Sequence, residues 1–292
     1  MNNPFIPDNN LSRPLLLDGA MGSYLQQKEF QTDDTIWTTI INHSHPEAVM
    51  QIHKEYIEAG ANIITTNTFR TNPSSLHKKG YSDVSHFVMQ AVDIARQSID
   101  DKKIFIAGSN PPAEDCYQVK RNLSYNELEM NHCKHIDLLV DNRVDFILNE
   151  TQSHFDEIKI ICNHCDQNNI AYLISIYLTE DHKLLSGESV ENILTFLSYH
   201  NPIGIGFNCI SYKTLNGILG STVLPANWGF YLNCCNGQPA DQLFSCGITP
   251  EEYSNHVKKS LSHNPVFVGS CCGSTPEHTK RIRKLLEIEY DS

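Results

Sequence analysis

Three cysteines in the second half of the sequence have the type and the setting of ligands for a catalytic metal ion. Cys209 follows the short apolar run 203–207, and Cys271 and Cys272 follow the run 265–269. Three thiolates bind Zn²⁺ well and leave its fourth tetrahedral position open, which is how catalytic zinc differs from structural zinc. An ion held in this way activates a small thiol by stabilising its thiolate. The sequence therefore predicts a zinc site on Cys209, Cys271 and Cys272.

Two adjacent cysteines reach one metal ion only where the backbone turns sharply. Gly269 and Gly273 flank the pair Cys271-Cys272, and glycine adopts tight turns at little cost. A helix is expected to begin at Thr275-Pro276, with its positive end near the thiolates. Any one of the three cysteines alone is better interpreted as a buried, inert residue. Their joint position at two strand ends favours the metal site.

The other cysteines divide into three groups. Cys234 and Cys235 follow the run 227–232, and could line the metal site or act as additional or alternative ligands, so their role stays open. Cys162 and Cys165 lie within a predicted helix, where packing is a better explanation than a structural zinc. The remaining cysteines are interpreted as structural: Cys116, Cys133 and Cys246.

Two acidic residues stand where they could bind an amino acid. Glu150 follows the apolar run 144–149, and a desolvated carboxylate there would accept strong hydrogen bonds from an ammonium group. Asp18 begins a tight turn with Gly19, and backbone N–H groups of such a turn can hold a carboxylate. An Asx turn without a ligand explains Asp18 equally well. The pair predicts a cradle for an α-amino acid.

These residues are positioned by a repeated alternation of strands and helices. Short apolar runs typical of strands buried on both faces occupy residues 15–18, 62–66, 103–108, 144–149, 171–178, 203–207, 227–232 and 265–269. Patterns with helical periodicity lie between them, such as residues 45–60, which end at Gly60. Eight such units predict an α/β fold, a single (β/α)8 TIM barrel, with its chemistry at the carboxyl ends of the strands. The competing doubly wound sheet usually has a G-x-G-x-x-G turn, which is absent here. We expect residues 1–13 to form a polar tail and residues 14–292 the barrel.

Composition narrows the class of partner and the compartment. The chain of 292 residues has a formal net charge of −12, which argues against nucleic acid or an anionic membrane surface as a partner. It contains no apolar run of membrane-spanning length. The N-terminus lacks the pattern of a secretory signal, so a reducing, cytoplasmic location is expected. Ten cysteines in that setting favour metal binding or packing over disulfides. The sequence leaves the oligomeric state open and allows a homo-oligomer.

At this point five segments resemble the homocysteine S-methyltransferase family, over about Leu15 to Leu286. The segments are LLLDGAMGSYLQ, AGANIITTNTFRTNP, FILNETQS, GIGFNC and VFVGSCCGSTPEHTKRI. The resemblance implies a (β/α)8 barrel with zinc on Cys209, Cys271 and Cys272, and homocysteine sulfur at the open zinc position.

The resemblance also implies roles for the residues around the metal. Glu150 would bind the amino group of homocysteine, and the turn Asp18-Gly19-Ala20 would hold its other end. An asparagine after the seventh strand lies near the metal in the family; Asn233 is the candidate here, and Asn236 is its rival because the stretch 233–237 departs from the family pattern.

The expected reaction is zinc-dependent transfer of a methyl group from a sulfonium donor to homocysteine, giving methionine, a step of methionine biosynthesis. S-methylmethionine is the expected donor and S-adenosylmethionine a poorer one, because the chain lacks a folate or cobalamin domain and the long extension of betaine enzymes. Trp228, Phe69 or Tyr177 could meet a sulfonium through cation–π contact, although each is more often a core residue. The alternatives are another small thiol or a selenol such as selenocysteine as acceptor, a non-catalytic zinc-binding or thiol-sensing barrel, and a cobalamin-linked fragment.

Overall fold

The strands form a closed parallel barrel. The computed structural model describes residues 2–5, 13–100, 103–236 and 245–290. Its strands are β1 (Leu15–Leu16), β2 (Ile63–Thr65), β3 (Phe105–Ser109), β4 (Phe146–Gln152), β5 (Tyr172–Ile176), β6 (Gly204–Asn208), β7 (Trp228–Leu232), β8 (Cys235–Asn236), β9 (Ser245–Cys246) and β10 (Phe267–Ser270). Within these described ranges, eight parallel strands pair in the order β1-β10-β7-β6-β5-β4-β3-β2. A parallel bridge between Leu17 and Ile63 joins β1 to β2. The (β/α)8 prediction is therefore confirmed, and the doubly wound alternative is excluded.

Helices alternate with the strands and cover the outside of the barrel. They are α1 (Met21–Gln27), α2 (Thr39–Ser44), α3 (Pro46–Glu58), α4 (Pro73–Lys78), α5 (Val84–Gln97), α6 (Tyr125–Asp141), α7 (Phe155–Gln167), α8 (Val190–Leu197), α9 (Tyr212–Ser221), α10 (Pro250–Ser260), a 3₁₀ helix (Leu261–His263) and α11 (Pro276–Tyr290). The antiparallel pair β8–β9 lies between β7 and α10. All eight predicted barrel strands are present.

Local sequence explains where several helices begin and end. The hydroxyl of Thr249 accepts a hydrogen bond from the N–H of Glu252 while the Glu252 carboxylate accepts one from the N–H of Thr249, which starts α10 as a capping box. Helix α3 ends at Glu58, and Gly60 follows it with φ +103°. That left-handed conformation suits glycine after a helix. Helix α11 begins at Pro276, as expected.

The apolar core has two layers, one inside the barrel and one between the barrel and its helices. The inner layer includes Phe146 and Phe267, at the amino ends of β4 and β10, and Cys209 and Cys271 near the opposite end. The ring of Phe5 packs against Phe267 at 5.5 Å and against Phe146 at 6.2 Å between centroids. These aromatic rings pack together at the amino end of the barrel, opposite to Cys209 and Cys271.

Within the part of the chain that the structure describes, no helix has both the length and the apolar character needed to cross a membrane.

Candidate active site

The sulfur atoms of Cys209, Cys271 and Cys272 converge at the carboxyl end of the barrel. The three Sγ atoms lie within 4.8 Å of one another, and no other group of three or more His, Cys, Asp or Glu side chains in the described residues meets this criterion. Cys209 directly follows β6 and has φ +53°. Cys271 directly follows β10. The two strands thus bring together residues that lie more than 60 positions apart.

Two of these three cysteines are joined in the structure, because Cys209 and Cys271 form a disulfide. The expectation that the cysteines avoid disulfides is wrong for this pair. Ligands of one metal ion are necessarily neighbours, and the same proximity lets two of them form a bond. Reduction turns the pair into thiols beside Cys272, and three soft sulfur donors at this spacing suit Zn²⁺. The donor set therefore fits the metal once it is reduced.

Backbone hydrogen bonds brace the loop that carries Cys271 and Cys272. The N–H of Cys271 donates to the carbonyl of Leu232 (2.8 Å), and the N–H of Cys234 donates to the carbonyl of Cys272 (2.8 Å). Gly273 has φ +82°, and a Cβ added there would lie 2.8 Å from the Sγ of Cys235. The turn therefore requires glycine at position 273, as the sequence predicted.

Gly269 serves close packing instead of the turn. A Cβ at this position would lie 2.8 Å from the Cβ of Leu17, so Gly269 lets strands β10 and β1 approach each other. In the loop that follows, desolvation raises the pKa of the Cys272 thiol well above its usual value. A free thiol at this position stays protonated near neutral pH, and it needs a metal ion to become a thiolate ligand.

Cys234 and Cys235 adjoin the site without belonging to its sulfur group. The Sγ of Cys234 is buried and contacts the carbonyl oxygen of Leu232 at 3.8 Å. Cys235 pairs with Cys246 across the short ribbon of β8 and β9. Cys116 is buried, and it also lines the same cavity as Cys272.

Asp18 is a buried carboxylate that lines the same cavity as Cys271 and Cys272. Its two oxygens accept hydrogen bonds from the N–H (2.7 Å) and the hydroxyl (2.9 Å) of Thr65, at the end of β2. Burial raises the pKa of Asp18 to about 8, and the negative charge of nearby Glu150 adds to this effect against the hydrogen bonds from Thr65. The side chain thus ties β1 to β2, which differs from the local Asx turn that the sequence left open.

Glu150 lies on the wall of the same cavity, in the irregular part of β4. The hydroxyl of Ser109 donates a hydrogen bond to its carboxylate. Desolvation raises the pKa of Glu150 to about 7 despite that hydrogen bond. Two carboxyl groups that titrate near neutral pH therefore face a cavity that also contains thiols, and either would gain from a cationic ligand.

Hydrogen bonds to other parts of the protein hold the turn Asp18-Gly19-Ala20 in place. The N–H of Ala20 donates to the hydroxyl of Ser274 (3.0 Å), and the Tyr56 hydroxyl donates to the carbonyl of Ala20 (3.1 Å). The N–H of Asp18 donates to the carbonyl of Ile63. These two N–H groups are already bonded, which limits the predicted carboxylate-binding role of the turn to the N–H of Gly19.

The structure does not bring Asn233 to the cavity wall. Its Oδ1 accepts a hydrogen bond from the N–H of Cys235 (2.8 Å), which closes a local turn, and Asn233 is absent from the residues that line the cavity. The side chain of the rival, Asn236, lies outside the part of the chain that the structure describes. A place near the metal stays a prediction for both.

Of the three aromatic candidates for a sulfonium site, only Phe69 lines the cavity. Trp37 meets it edge to face, with 6.0 Å between ring centroids. Tyr177 packs against Tyr117 at 5.1 Å. Trp228 is a core residue at the other end of the barrel, where its indole N–H donates to the carbonyl of His263.

The cavity itself has a volume of about 1530 Å³, enough for two amino-acid-sized ligands side by side. Sequence reasoning missed Thr65 and Ser109, which hold the two carboxylates, and Ser270, whose buried Oγ has no hydrogen-bond partner among the described residues. All three had the same signal in the sequence, namely a position at the carboxyl end of a predicted strand.

Comparisons with known proteins find similar sequences and folds. A sequence model of the family described as homocysteine S-methyltransferase matches residues 15–286. The selenocysteine methyltransferase of Astragalus bisulcatus is 23% identical over 98% of this chain and 97% of its own length. The homocysteine S-methyltransferase of Escherichia coli is 23% identical over 94% of this chain and 96% of its own. The crystal structure of the E. coli homocysteine methyltransferase MmuM in its metallated form superposes with a TM-score of 0.81 at 21% identity, covering 97% of this chain and 100% of that one. The oxidized form gives a TM-score of 0.82 at 21% identity over the same shares.

Proposed function

The chain belongs to the homocysteine S-methyltransferase family, and we propose that it transfers a methyl group from S-methylmethionine, or less well from S-adenosylmethionine, to the thiol of homocysteine. The products are methionine from the acceptor and the demethylated donor. The S–CH3 bond of the sulfonium breaks, which leaves the donor as a neutral thioether. The methyl group bonds to the acceptor sulfur, whose thiol proton is released. The reaction therefore needs an acceptor thiolate and no oxidant or reductant.

One observation carries this proposal: three sulfur ligands and two desolvated carboxyl groups face one cavity. Cys209, Cys271 and Cys272 supply the sulfur atoms, and Asp18 and Glu150 supply the carboxyl groups. A cavity designed only to hold a structural metal needs no carboxylates next to it. An amino acid with a thiol side chain has complementary groups for both halves of the site.

The proposed cofactor is Zn²⁺, held by Cys209, Cys271 and Cys272. When bound there, zinc would favour the thiolate form of the acceptor at neutral pH. The rest of the acceptor site comes from the protein. Glu150 would accept a hydrogen bond from the homocysteine ammonium group, and the same positive charge would favour ionisation of Asp18. Holding the ammonium fixes the direction from which the sulfur approaches the donor.

The donor is proposed to bind on the side of Phe69. Phe69 lines the cavity, and a sulfonium cation is attracted to the face of an aromatic ring. The guanidinium of Arg70 already lies over this ring, 5.2 Å from its centroid, which shows that the ring accepts a cation. The formal net charge of −12 also favours a cationic substrate over an anionic one. S-methylmethionine is small enough to share the cavity with homocysteine.

A selenol acceptor is the second candidate, and one comparison favours it. The similar protein from Astragalus bisulcatus is named selenocysteine methyltransferase. Selenocysteine carries the same ammonium and carboxylate groups as homocysteine, so Glu150 would serve either acceptor. The kcat/KM of methyl transfer to each acceptor distinguishes the two.

The test is an assay of the reduced, zinc-loaded chain with each donor and each acceptor in turn. We expect methionine from homocysteine and S-methylmethionine without any other protein, and a lower kcat/KM with S-adenosylmethionine. A higher kcat/KM for selenocysteine than for homocysteine would identify selenocysteine as the preferred acceptor. Zinc binding without transfer from either donor would indicate a non-catalytic barrel. Activity only with a separate methylcorrinoid protein would indicate a cobalamin-linked enzyme.

Two further proposals concern the chain as a whole. We propose a reducing, cytoplasmic compartment, because the metal site needs its three cysteines as thiolates. We also propose that residues 14–292 form one barrel unit, preceded by a polar segment at residues 1–13 from which Phe5 packs into the amino end of the barrel.

A further inference from the structure

The carboxylate Glu150 lies in an irregular stretch of β4 that requires support. The pairing of β4 with β5 shifts register between Asn149 and Gln152. Within that stretch Thr151 has φ +58°, a conformation that is a genuine outlier for a β-branched residue. A strained residue persists only where its surroundings hold it. The direction of the Glu150 side chain therefore depends on what fixes the backbone of Thr151.

Asn208, the last residue of β6, provides that support. Its Oδ1 accepts a hydrogen bond from the N–H of Thr151 (2.9 Å), and its Nδ2 donates to the Thr151 hydroxyl (2.8 Å). The hydroxyl of Ser175 donates to the same Oδ1 at 2.8 Å. The side chains of Asn208 and Ser175 are fully buried. Both polar groups of the Asn208 amide are thus used on the strained residue.

Other contacts to the irregular stretch fall on the residues beside Thr151. The hydroxyl of Ser109 donates to the Glu150 carboxylate, and the Nε2 of Gln152 donates to the carbonyl of Asn110 at 3.2 Å. The N–H of Glu150 donates to the carbonyl of Asn110 at 3.2 Å, and the N–H of Tyr177 donates to the carbonyl of Gln152 at 3.1 Å. These bonds hold the residues on either side of Thr151. Only the Asn208 side chain reaches Thr151 itself from β6.

Asn208 is also the residue before Cys209. The N–H of Cys209 donates to the carbonyl of Tyr231 at 3.1 Å, so the proposed metal ligand is held by β7 independently of the Asn208 amide. One end of Asn208 therefore continues into the sulfur site while its side chain fixes the carboxylate site on β4.

We propose that Asn208 is a positioning residue that sets the distance between the metal-bound acceptor sulfur and the carboxylate that receives the acceptor ammonium group. Asn208 recognises homocysteine indirectly, through Thr151 and Glu150, and it is not a metal ligand. This inference rests on the proposed binding of homocysteine. It predicts that loss of the Asn208 amide weakens the binding of thiols that carry an amino group and leaves the binding of other thiols unchanged.

The experiment compares two thiols on the Co²⁺-substituted protein, in which thiolate binding is followed by absorbance. Homocysteine carries the ammonium group, and 4-mercaptobutanoate is the same molecule without it. We expect the Asn208→Ala variant to bind zinc at the wild-type stoichiometry. Its affinity for homocysteine should fall about tenfold, and its affinity for 4-mercaptobutanoate should stay unchanged. Ser175→Ala is the matched control, since it removes a buried hydrogen bond to the same Oδ1 but leaves Thr151 held. It should keep the preference for homocysteine.

A second substitution tests the route through Thr151. Glycine adopts a positive φ without strain, so Thr151→Gly should restore most of the homocysteine affinity lost in Asn208→Ala. If Asn208→Ala does not fold, Asn208→Ser, which is too short to reach Thr151, is expected to show the same selective loss.

Several results would overturn the inference. These are an unchanged preference for homocysteine in Asn208→Ala, an equal loss for both thiols, loss of zinc, and failure of the glycine to restore binding. A wild-type protein that binds both thiols equally would overturn the proposed amino-group site as well. That outcome is visible before any Asn208 variant is made.

Discussion

The Sγ atoms of Cys209 and Cys272 lie 3.6 Å apart, although 63 positions separate the two residues in the chain. Sulfur atoms at this separation can bind one tetrahedral ion without large movement, because two ligands each at about 2.3 Å from zinc are themselves about 3.8 Å apart. Cys272 is not part of the disulfide, so it is the sulfur on which metal binding is most directly tested.

Replacing Cys272 by serine should abolish tight zinc binding and reduce methyl transfer at least about a hundredfold, since the site keeps only two sulfur ligands. Zinc per chain and initial rates under reducing conditions measure both effects. Cys235→Ser is the matched control: it lies beside the loop but outside the sulfur group, and it should keep its zinc. Full methyl transfer by Cys272→Ser would contradict the three-thiolate mechanism.

Metal uptake should depend on the oxidation state of Cys209 and Cys271. Titration of thiols in denaturant should find the eight free cysteines of the disulfide-bonded chain and, after reduction, all ten. Zinc should bind only to the reduced form, because a disulfide sulfur is not a thiolate ligand. Equal zinc uptake by the two forms would show that these cysteines are not the metal ligands.

Glu150→Gln should weaken homocysteine binding in a way that depends on pH. The pKa of Glu150 is raised to about 7 by desolvation, so its charge, and with it the attraction to ammonium, develops between about pH 6 and pH 8. The loss in the variant should be small at pH 6 and about tenfold or more at pH 8. Dissociation constants measured at both pH values check this, with exposed Glu277→Gln as the control. A loss that is the same at both pH values would rule out a role for the ionised carboxylate.

Asp18→Asn should change how the stability of the metal-free protein depends on pH. The pKa of Asp18 is raised from 3.8 to about 8, chiefly by burial, so the unfolded state loses the proton first. The wild type therefore loses stability relative to the variant as pH rises from 4 to 8, and the difference is constant above pH 8. The Tm of the variant minus that of the wild type should increase by at least about 2 °C over this range. A difference independent of pH would show that Asp18 is ionised in the fold.

Gly273→Ala should damage both the fold and the metal site. The added Cβ meets the Sγ of Cys235 at 2.8 Å and its N atom at 2.9 Å, at a φ of +82°. We expect a loss of about 2–3 kcal/mol in the free energy of unfolding and weaker zinc binding, because the turn after Cys272 must move. Gly187→Ala isolates the backbone cost: its φ is +106° but nothing lies within 4 Å of the new Cβ. That variant should lose only about 1 kcal/mol and keep its zinc affinity, whereas an equal effect of both variants would refute the steric explanation.

Periodicity and strand ends predicted the frame of the site. The apolar runs that precede Cys209 and Cys271 are β6 and β10, and a parallel barrel places their ends on one rim. Contacts between distant residues were not predictable in this way. The N–H of Ala20 donates to the hydroxyl of Ser274, 254 positions away. The turn at Asp18 therefore has fewer free N–H groups for a ligand than its sequence suggests. Asn233 occupies the expected place in the chain, but its side chain is bonded to Cys235.

The position of Cys116 beside the cavity was not predictable for a similar reason. The loop that carries it is anchored by Glu157, which is buried in α7 and accepts hydrogen bonds from the N–H of Ala113 and from Arg121. This anchor holds the loop against the cavity, which the local sequence around Cys116 does not reveal.

The sulfur atoms and the carboxylates of the site come from different halves of the barrel. Asp18 follows β1 and Glu150 belongs to β4, whereas Cys209 and Cys271 follow β6 and β10. A chimera joined between β4 and β5 would therefore inherit its metal chemistry from one parent and its recognition of the amino acid from the other. Thr151 and Asn208 lie on opposite sides of that junction and are hydrogen-bonded to each other. A working chimera must therefore have residues at these two positions that can still form this hydrogen bond. Half-barrel exchange thus has to preserve this side-chain contact as well as the backbone bonds that cross the same junction, such as that from the N–H of Tyr177 to the carbonyl of Gln152.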